Sequence, residues 1–445
     1  MTEIFDVLIR GGQCATPDGI VYADVGVRDG RIAALGDLSR RSSGEVIEAT
    51  GLHVFPGVID SQVHFREPGG EHKEDLETGT RAAVLGGVTS VFEMPNTSPP
   101  TATAAALTDK LARAAGRAWC NYAFYVGATA QNADRLGDLE RLPGCAGVKV
   151  FMGSSTGGLL VADDETLRAV MVSGTRRMAV HSEDEARLEE RRGIAEEAGD
   201  VHAHPEWRDE ETAVRATRRL LALATETGRR VHVLHVTTAE EIKLLGQHKD
   251  LATVEVTPQH LTLEAPDCYD QLGTLAQMNP PIREGRHRQA LWDGVTSGIV
   301  DVIGSDHAPH TLAEKETAYP DTPSGMPGVQ TLLPILLDHV AAGRLTCERL
   351  VDITSAGPAR IFGLVDKGRL SVGYDADLTL VDLTAKRSIT NDWIASRCGW
   401  TPFAGLTVTG WPTATIIGGR TVMRDDEILG SAGGNPLRFF EGSQD

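Results

Sequence analysis

Three things are scarce in this chain of 445 residues: positive charge, paired cysteines and long apolar runs. Lys and Arg number 43 against 62 Asp and Glu, a formal charge of -19, which argues against nucleic acid or an anionic membrane surface as a partner. An anionic small molecule would need a basic pocket of its own. The six cysteines, at 14, 120, 145, 268, 347 and 398, include no C-x-x-C pair. Reduced thiols packed as small core residues are therefore expected, not a disulfide frame or a structural zinc. No run reaches the length of a membrane span, and the opening MTEIFDVLIRGG has no basic stretch leading into an apolar core, so the expectation is a cytoplasmic protein with no membrane partner. Internal repeats and low-complexity segments are missing too.

What is there fits a soluble globular protein, with 41% hydrophobic and 24% charged residues, long enough for one large domain and a smaller one. Short apolar runs recur at FPGVIDSQVHF, GVTSVFEM, CNYAFYVG, GVKVFMG, RMAVHS, RVHVLHV, ATVEV and IVDVIGSD. Helix-like stretches such as TATAAALTDKLARAAGR separate most of them, and that alternation predicts a parallel sheet with helical crossovers. Eight repeats predict an α/β fold of the (β/α)8 TIM-barrel type. Both chain ends instead alternate apolar and polar residues between D-G, G-G and D-D turn signals, as antiparallel hairpins do. Neither end has strands enough for its own core. We expect one small β-sandwich split by the barrel, residues 1–53 and, with a C-terminal tail, 365–445, around a barrel over 54–364. The long stretch after AVHSEDEARLEERRGIAEEAGDVHAHPEW reads as a charged loop or helical insertion whose charges form a solvated face.

A period of two puts Asp60, Gln62, His64 and Arg66 on one face of the first run and Ile59, Val63 and Phe65 on the other. Inward polar side chains at the C-terminal end of a barrel strand are where such barrels carry active sites. Taken alone, His64 fits a satisfied core histidine equally well. Lys149 stands between Val148 and Val150 in a strand that should be buried, and an unpaired buried ammonium is costly. Either a salt bridge compensates it, or its amine, with its pKa lowered, takes up carbon dioxide as a carbamate and becomes an anionic metal ligand. His181 in AVHSED, His235 in VHVLHV, and Asp306 and His310 in GSDHAPH lie at matching strand ends. Nitrogen and oxygen ligands converging there would suit zinc. His232 and His260 lack that placement and read as structural.

Taken together, FPGVIDSQVHFREPG, GGVTSVFEMPNT, GVKVFMGSSTG, MNPPIR, GSDHAPH and GYDADLTLVDL resemble the cyclic amidohydrolases, and among them the dihydroorotases, over nearly the whole chain. The resemblance implies one or two zinc ions per chain. His64 and Asp306 would hold one, His181 and His235 the other, and carboxylated Lys149 would bridge them, with Asp306 as catalytic acid and base. Gln62 stands where the family places a further histidine, and a carboxamide is the poorer zinc ligand, so one position should be weaker. Arg66, Asn96 and His310 match the residues that grip a ring-borne carboxylate, and Asn279 in MNPPIR matches a position that contacts the pyrimidine ring. Arginine suits a carboxylate because its planar fork makes two parallel hydrogen bonds.

The implied activity is the interconversion of dihydroorotate and N-carbamoyl-aspartate, by a homo-oligomer, dimer or tetramer, acting on a small anionic substrate. Two alternatives stand beside it. One is a hydantoinase or allantoinase, whose rings lack that carboxylate and against which Arg66 speaks. The other, kept open by Gln62, is a silent subunit that scaffolds aspartate transcarbamoylase. HTLAEKETAYPDTPSGMPG, residues 310–328, is a candidate lid or else an ordinary surface loop.

Overall fold

The computed structural model describes residues 4–155 and 159–440. The last three residues of the run AGVKVFMGSSTGG, 156–158, lie outside them. The N-terminal alternation forms β1 (Ile4–Thr16), β2 (Gly19–Arg28) and β3 (Arg31–Gly36) as antiparallel neighbours. Strands β4 (Ser42–Glu48) and β5 (His53–Pro56) then pair parallel to β1. The chain next runs through β6 (Val58–Val63), β7 (Val88–Glu93), β8 (Asn121–Gly127), β9 (Cys145–Phe151), β10 (Met178–His181), β11 (Val231–Val233), β12 (Ala252–Val256) and β13 (Val302–Ile303). These eight form one all-parallel sheet in sequence order. Its two ends meet where Val63 bridges His307 and the His64 N–H donates to the His307 carbonyl at 2.7 Å. This is the expected α/β barrel.

Beyond the barrel come β14 (Leu378–Ser388), β15 (Thr407–Ile417), β16 (Arg420–Arg424) and β17 (Glu427–Ile428). Strand β14 pairs antiparallel with β5, so both chain ends join one nine-stranded sheet. The tail returns to the barrel, where Pro436 bridges Tyr122 and Leu437 joins an inner cluster. The connection between β14 and β15 runs the other way. Ser396 bonds Glu74, and the Trp400 indole donates to the His310 carbonyl at 2.7 Å.

Strands and crossovers are set by local chemistry. Asp75, Asp163, Asp184 and Asp209 each accept a backbone N–H at the start of a helix that follows a barrel strand, a cap that contributes about 1 kcal/mol. Valines of the strands face those helices, as Val88, Val148, Val150 and Val231 do. The inner floor draws on several strands, with Ile59, Phe92, Ala123, Tyr125, Ala146 and Ala179, and on Leu234 just past β11. Ile59 therefore faces inward, contrary to simple alternation along β6. Two register shifts against β7, between Val58 and Ile59 and between Asp60 and Val63, break the strand's regularity, and irregularities of that kind re-aim side chains. Gly79 lets the next turn close: a Cβ there would stand 2.3 Å from Cδ1 of Phe65.

Candidate active site

Gln62, His64, Lys149, His181, His235 and Asp306 line one cavity at the C-terminal ends of the barrel strands. Arg66, Asn96 and Asn279 line it as well, and His310 stands behind Arg66. The pleat alone does not aim them. Arg66, His235 and Asp306 have φ of +64°, +37° and +45°, left-handed conformations that non-glycine residues rarely adopt and that concentrate at functional sites.

The histidine contacts set their tautomers. His181 Nε2 donates to Glu183 Oε2 at 2.8 Å, which leaves Nδ1 bare and 3.0 Å from His235 Nε2. His64 Nδ1 donates to Asn96 Oδ1 at 2.7 Å, leaving a bare Nε2 3.2 Å from Asp306 Oδ1. Burial pushes the pKa of all three imidazoles below the ordinary histidine range. Lone pairs thus converge in two places, as they do around a shared cation. Gln62 Nε2 donates to Asp306 Oδ1 at 2.9 Å, while its own Oε1 is buried without a hydrogen-bond partner. An orphaned carboxamide oxygen among bare ligand atoms fits a metal, and the donor set of imidazole nitrogen and carboxylate oxygen is one that zinc accepts.

Lys149 is buried, and among the described residues no carboxylate forms an ion pair with it. Its Nζ stands over the Phe151 ring, 4.5 Å from the centroid. Burial lowers its pKa to about 7. Asp306 and Glu255 act on its charge without forming an ion pair with it.

Arg66 is also buried without an ion-pair partner among the described residues. Its Nε donates to the Pro309 carbonyl at 3.2 Å. Lys73 Nζ donates to His310 Nδ1 at 3.1 Å, so His310 Nε2 carries the ring proton and faces the Ser324 carbonyl at 3.1 Å. That same Nε2 is 3.2 Å from Arg66 Nη2. The Arg66 guanidinium, a buried charged donor without an ion-pair partner among the described residues, suits an anionic oxygen.

Several residues around the cavity escaped the sequence reading. Glu183 is fully buried and takes Arg208 Nη2 at 2.5 Å. Helix Glu185–Ala198 does expose most of its charges. A polar layer lies beneath the site, where Ser61 Oγ donates to Glu255 Oε2 at 2.7 Å and burial raises Glu255 to about 8. His232 bonds Thr253 and Glu255, and His260 bonds Thr257 and the Pro280 carbonyl. Both are satisfied structural histidines. Glu210, Glu240 and His287 also bring ligand atoms within 4.8 Å of one another. Arg286 donates to both carboxylates, His287 Nε2 donates to Glu210, and the Ala239 N–H donates to His287 Nδ1. Those groups are matched to one another as an ion-pair network.

The sequence model of the amidohydrolase family matches residues 53–422, which span the barrel and most of the C-terminal strands. The chain belongs to the amidohydrolase family. This amidohydrolase is 38% identical to a dihydroorotase of Halobacterium salinarum, over 93% of this chain and 99% of that protein. It is 34% identical to an allantoinase of Deinococcus radiodurans, over 97% and 98% of the two chains. Among solved structures it superposes on an L-hydantoinase from Arthrobacter aurescens with a TM-score of 0.92 and 31% identity, covering 96% and 98% of the two chains. It is an enzyme of the cyclic-amidohydrolase type, and no helix among the described residues is long and apolar enough to cross a membrane.

Proposed function

We propose that this amidohydrolase is a zinc-dependent dihydroorotase, interconverting (S)-dihydroorotate and N-carbamoyl-L-aspartate, the ring closure of pyrimidine biosynthesis. The observation that carries the reading is the buried Arg66 guanidinium, without an ion-pair partner among the described residues, in the wall of a cavity lined by imidazoles and Asp306. Hydantoin and allantoin rings have no carboxylate to offer such a group. A small anionic ring does.

Zinc would be held by His64 and Asp306 at one position, by His181 and His235 at another, and by a Lys149 carbamate between them. When bound, it polarises a ring carbonyl and lowers the pKa of water towards about 7. The Lys149 pKa of about 7 supports the carbamate, because an appreciable share of neutral amine is available near neutral pH to attack carbon dioxide and release a proton. Arg66 and His310 would fix the ring by its carboxylate. Asn96 would keep His64 Nδ1 protonated, and Asn279 would meet the ring opposite. Asp306 Oδ1 accepts from Gln62, which leaves Oδ2 to move a proton from the nucleophile to the leaving ring nitrogen, within reach of both. The working unit would be a cytoplasmic homo-oligomer, dimer or tetramer, which sedimentation of purified protein tests.

The deciding experiment is a steady-state assay with dihydroorotate, dihydrouracil, hydantoin and allantoin, before and after chelation and zinc replacement. Turnover of dihydroorotate that is lost on chelation and restored by zinc supports the proposal. Faster turnover of a ring without the carboxylate replaces it with the hydantoinase or allantoinase reading. Protein that holds no zinc and gains no turnover from zinc with bicarbonate is the silent subunit.

A further inference from the structure

His204 lies in the insertion between β10 and β11 and is fully buried, yet no step above uses it. Its ring touches three polar atoms from two other loops. Nε2 is 3.0 Å from the Met278 carbonyl oxygen and 3.0 Å from Asn279 Oδ1, and Nδ1 is 3.3 Å from the Tyr319 hydroxyl. Burial pushes its pKa down to about 3, so the ring is neutral and carries one proton.

The position of that proton follows from the neighbours. A peptide carbonyl can only accept, so the nitrogen facing Met278 must carry the hydrogen. The Asn279 atom beside the same N–H must then be its oxygen, which leaves the amide NH2 as the group Asn279 offers to the cavity it lines. Nδ1, bare in this tautomer, accepts from the Tyr319 hydroxyl. Tyr319 belongs to the segment expected as a lid, and that segment is pinned on the same side by Lys315 Nζ donating to the Gln277 and Pro323 carbonyls.

We propose that His204 is a positioning residue that sets the Asn279 amide as a hydrogen-bond donor, with Tyr319 fixing its tautomer, so that the cavity selects rings presenting a carbonyl oxygen there. The inference rests on the reading of the cavity as a cyclic-amide site and deepens it. A ring presenting N–H at that place would meet a donor with a donor and lose an interaction. Losing one neutral hydrogen bond corresponds to about a two- to tenfold weakening.

The test is a double-mutant cycle on the zinc-loaded full chain with dihydroorotate. His204→Phe keeps a ring but removes the N–H, and should raise KM by about fivefold while kcat changes less than about twofold. His204→Gln, which retains a donor, should recover most of that loss, and Tyr319→Phe should show a smaller rise. In an Asn279→Ala background His204→Phe should add less than about twofold. Multiplying effects in the cycle, or His204→Gln no better than His204→Phe at equal zinc content and melting temperature, would overturn the proposal. If His204→Phe does not fold, the Gln and Tyr319→Phe variants carry the same comparison. Nitrogen-15 NMR of histidine-labelled protein, with His204→Gln for assignment, reads the tautomer without turnover. Protonation at Nε2 supports the inference, and protonation at Nδ1 sinks it. Absence of turnover in the wild type would count against the proposed function alone.

Discussion

Arg66 combines three costly properties: burial, a left-handed backbone and no carboxylate partner among the described residues. Burial lowers its pKa only to about 10, so it stays charged at neutral pH. Arg66→Lys should keep the fold and lower kcat/KM for dihydroorotate by about 100-fold, because a point ammonium cannot reproduce the two-pronged grip. Activity on dihydrouracil should move far less, and equal losses on the two substrates would remove Arg66 from carboxylate binding. Lys149 makes a pH prediction. Its depressed pKa of about 7 means the neutral amine appears as pH rises through that value. At fixed dissolved carbon dioxide, stripped protein given zinc should regain activity about tenfold faster near pH 8 than near pH 6. Lys149→Ala should lose zinc and turnover together. Retention of two zinc ions by that variant, measured by metal analysis, would exclude a bridging role.

Among the elements, the insertion that follows β10 departs furthest from its sequence. A run such as EARLEERRGIAEEAG is dominated by charge and reads as surface, and its helix is surface. The three residues that matter flank that helix: Glu183 bonds His181, Arg208 bonds Glu183, and His204 bonds Asn279. No local pattern marks them, since their partners come from other loops. Arg208→Leu should destabilise by about 3 to 5 kcal/mol, because it strands the fully buried Glu183 carboxylate. Thermal melts should show the loss, and weaker zinc retention should accompany it. The barrel strands are legible because their apolar runs are short and bounded, His181, His235 and Asp306 because polar residues close those runs, and Lys149 because a charge stands between two valines. The inward turn of Ile59 was not legible, since a register shift between strands leaves no trace in one strand's alternation.

For the whole molecule, unequal metal positions should show in bulk. Glu183 enforces the tautomer of His181, whose bare Nδ1 stands 3.0 Å from His235 Nε2, whereas beside His64 and Asp306 stands a carboxamide. Metal analysis should give between one and two zinc ions per chain, with the weaker ion leaving first on mild dialysis against chelator and held more tightly in Gln62→His. Equal loss of both ions from wild type and variant alike would make Gln62 irrelevant to metal binding. The net charge of -19 is compatible with an anionic substrate because Arg66 lines the cavity without an ion-pair partner among the described residues.

The connection from β14 to β15 gives the molecule a clock. A chain is synthesised from its N-terminus and its domains tend to fold in that order, and every residue expected to hold zinc precedes residue 307. Ser396, which bonds Glu74, and Trp400, which holds the His310 carbonyl, emerge long afterwards, as does β14, the partner of β5. A nascent chain thus possesses its ligands before it possesses the wall behind its anion site. The segment that backs the anion site arrives long after the ligands it stands beside.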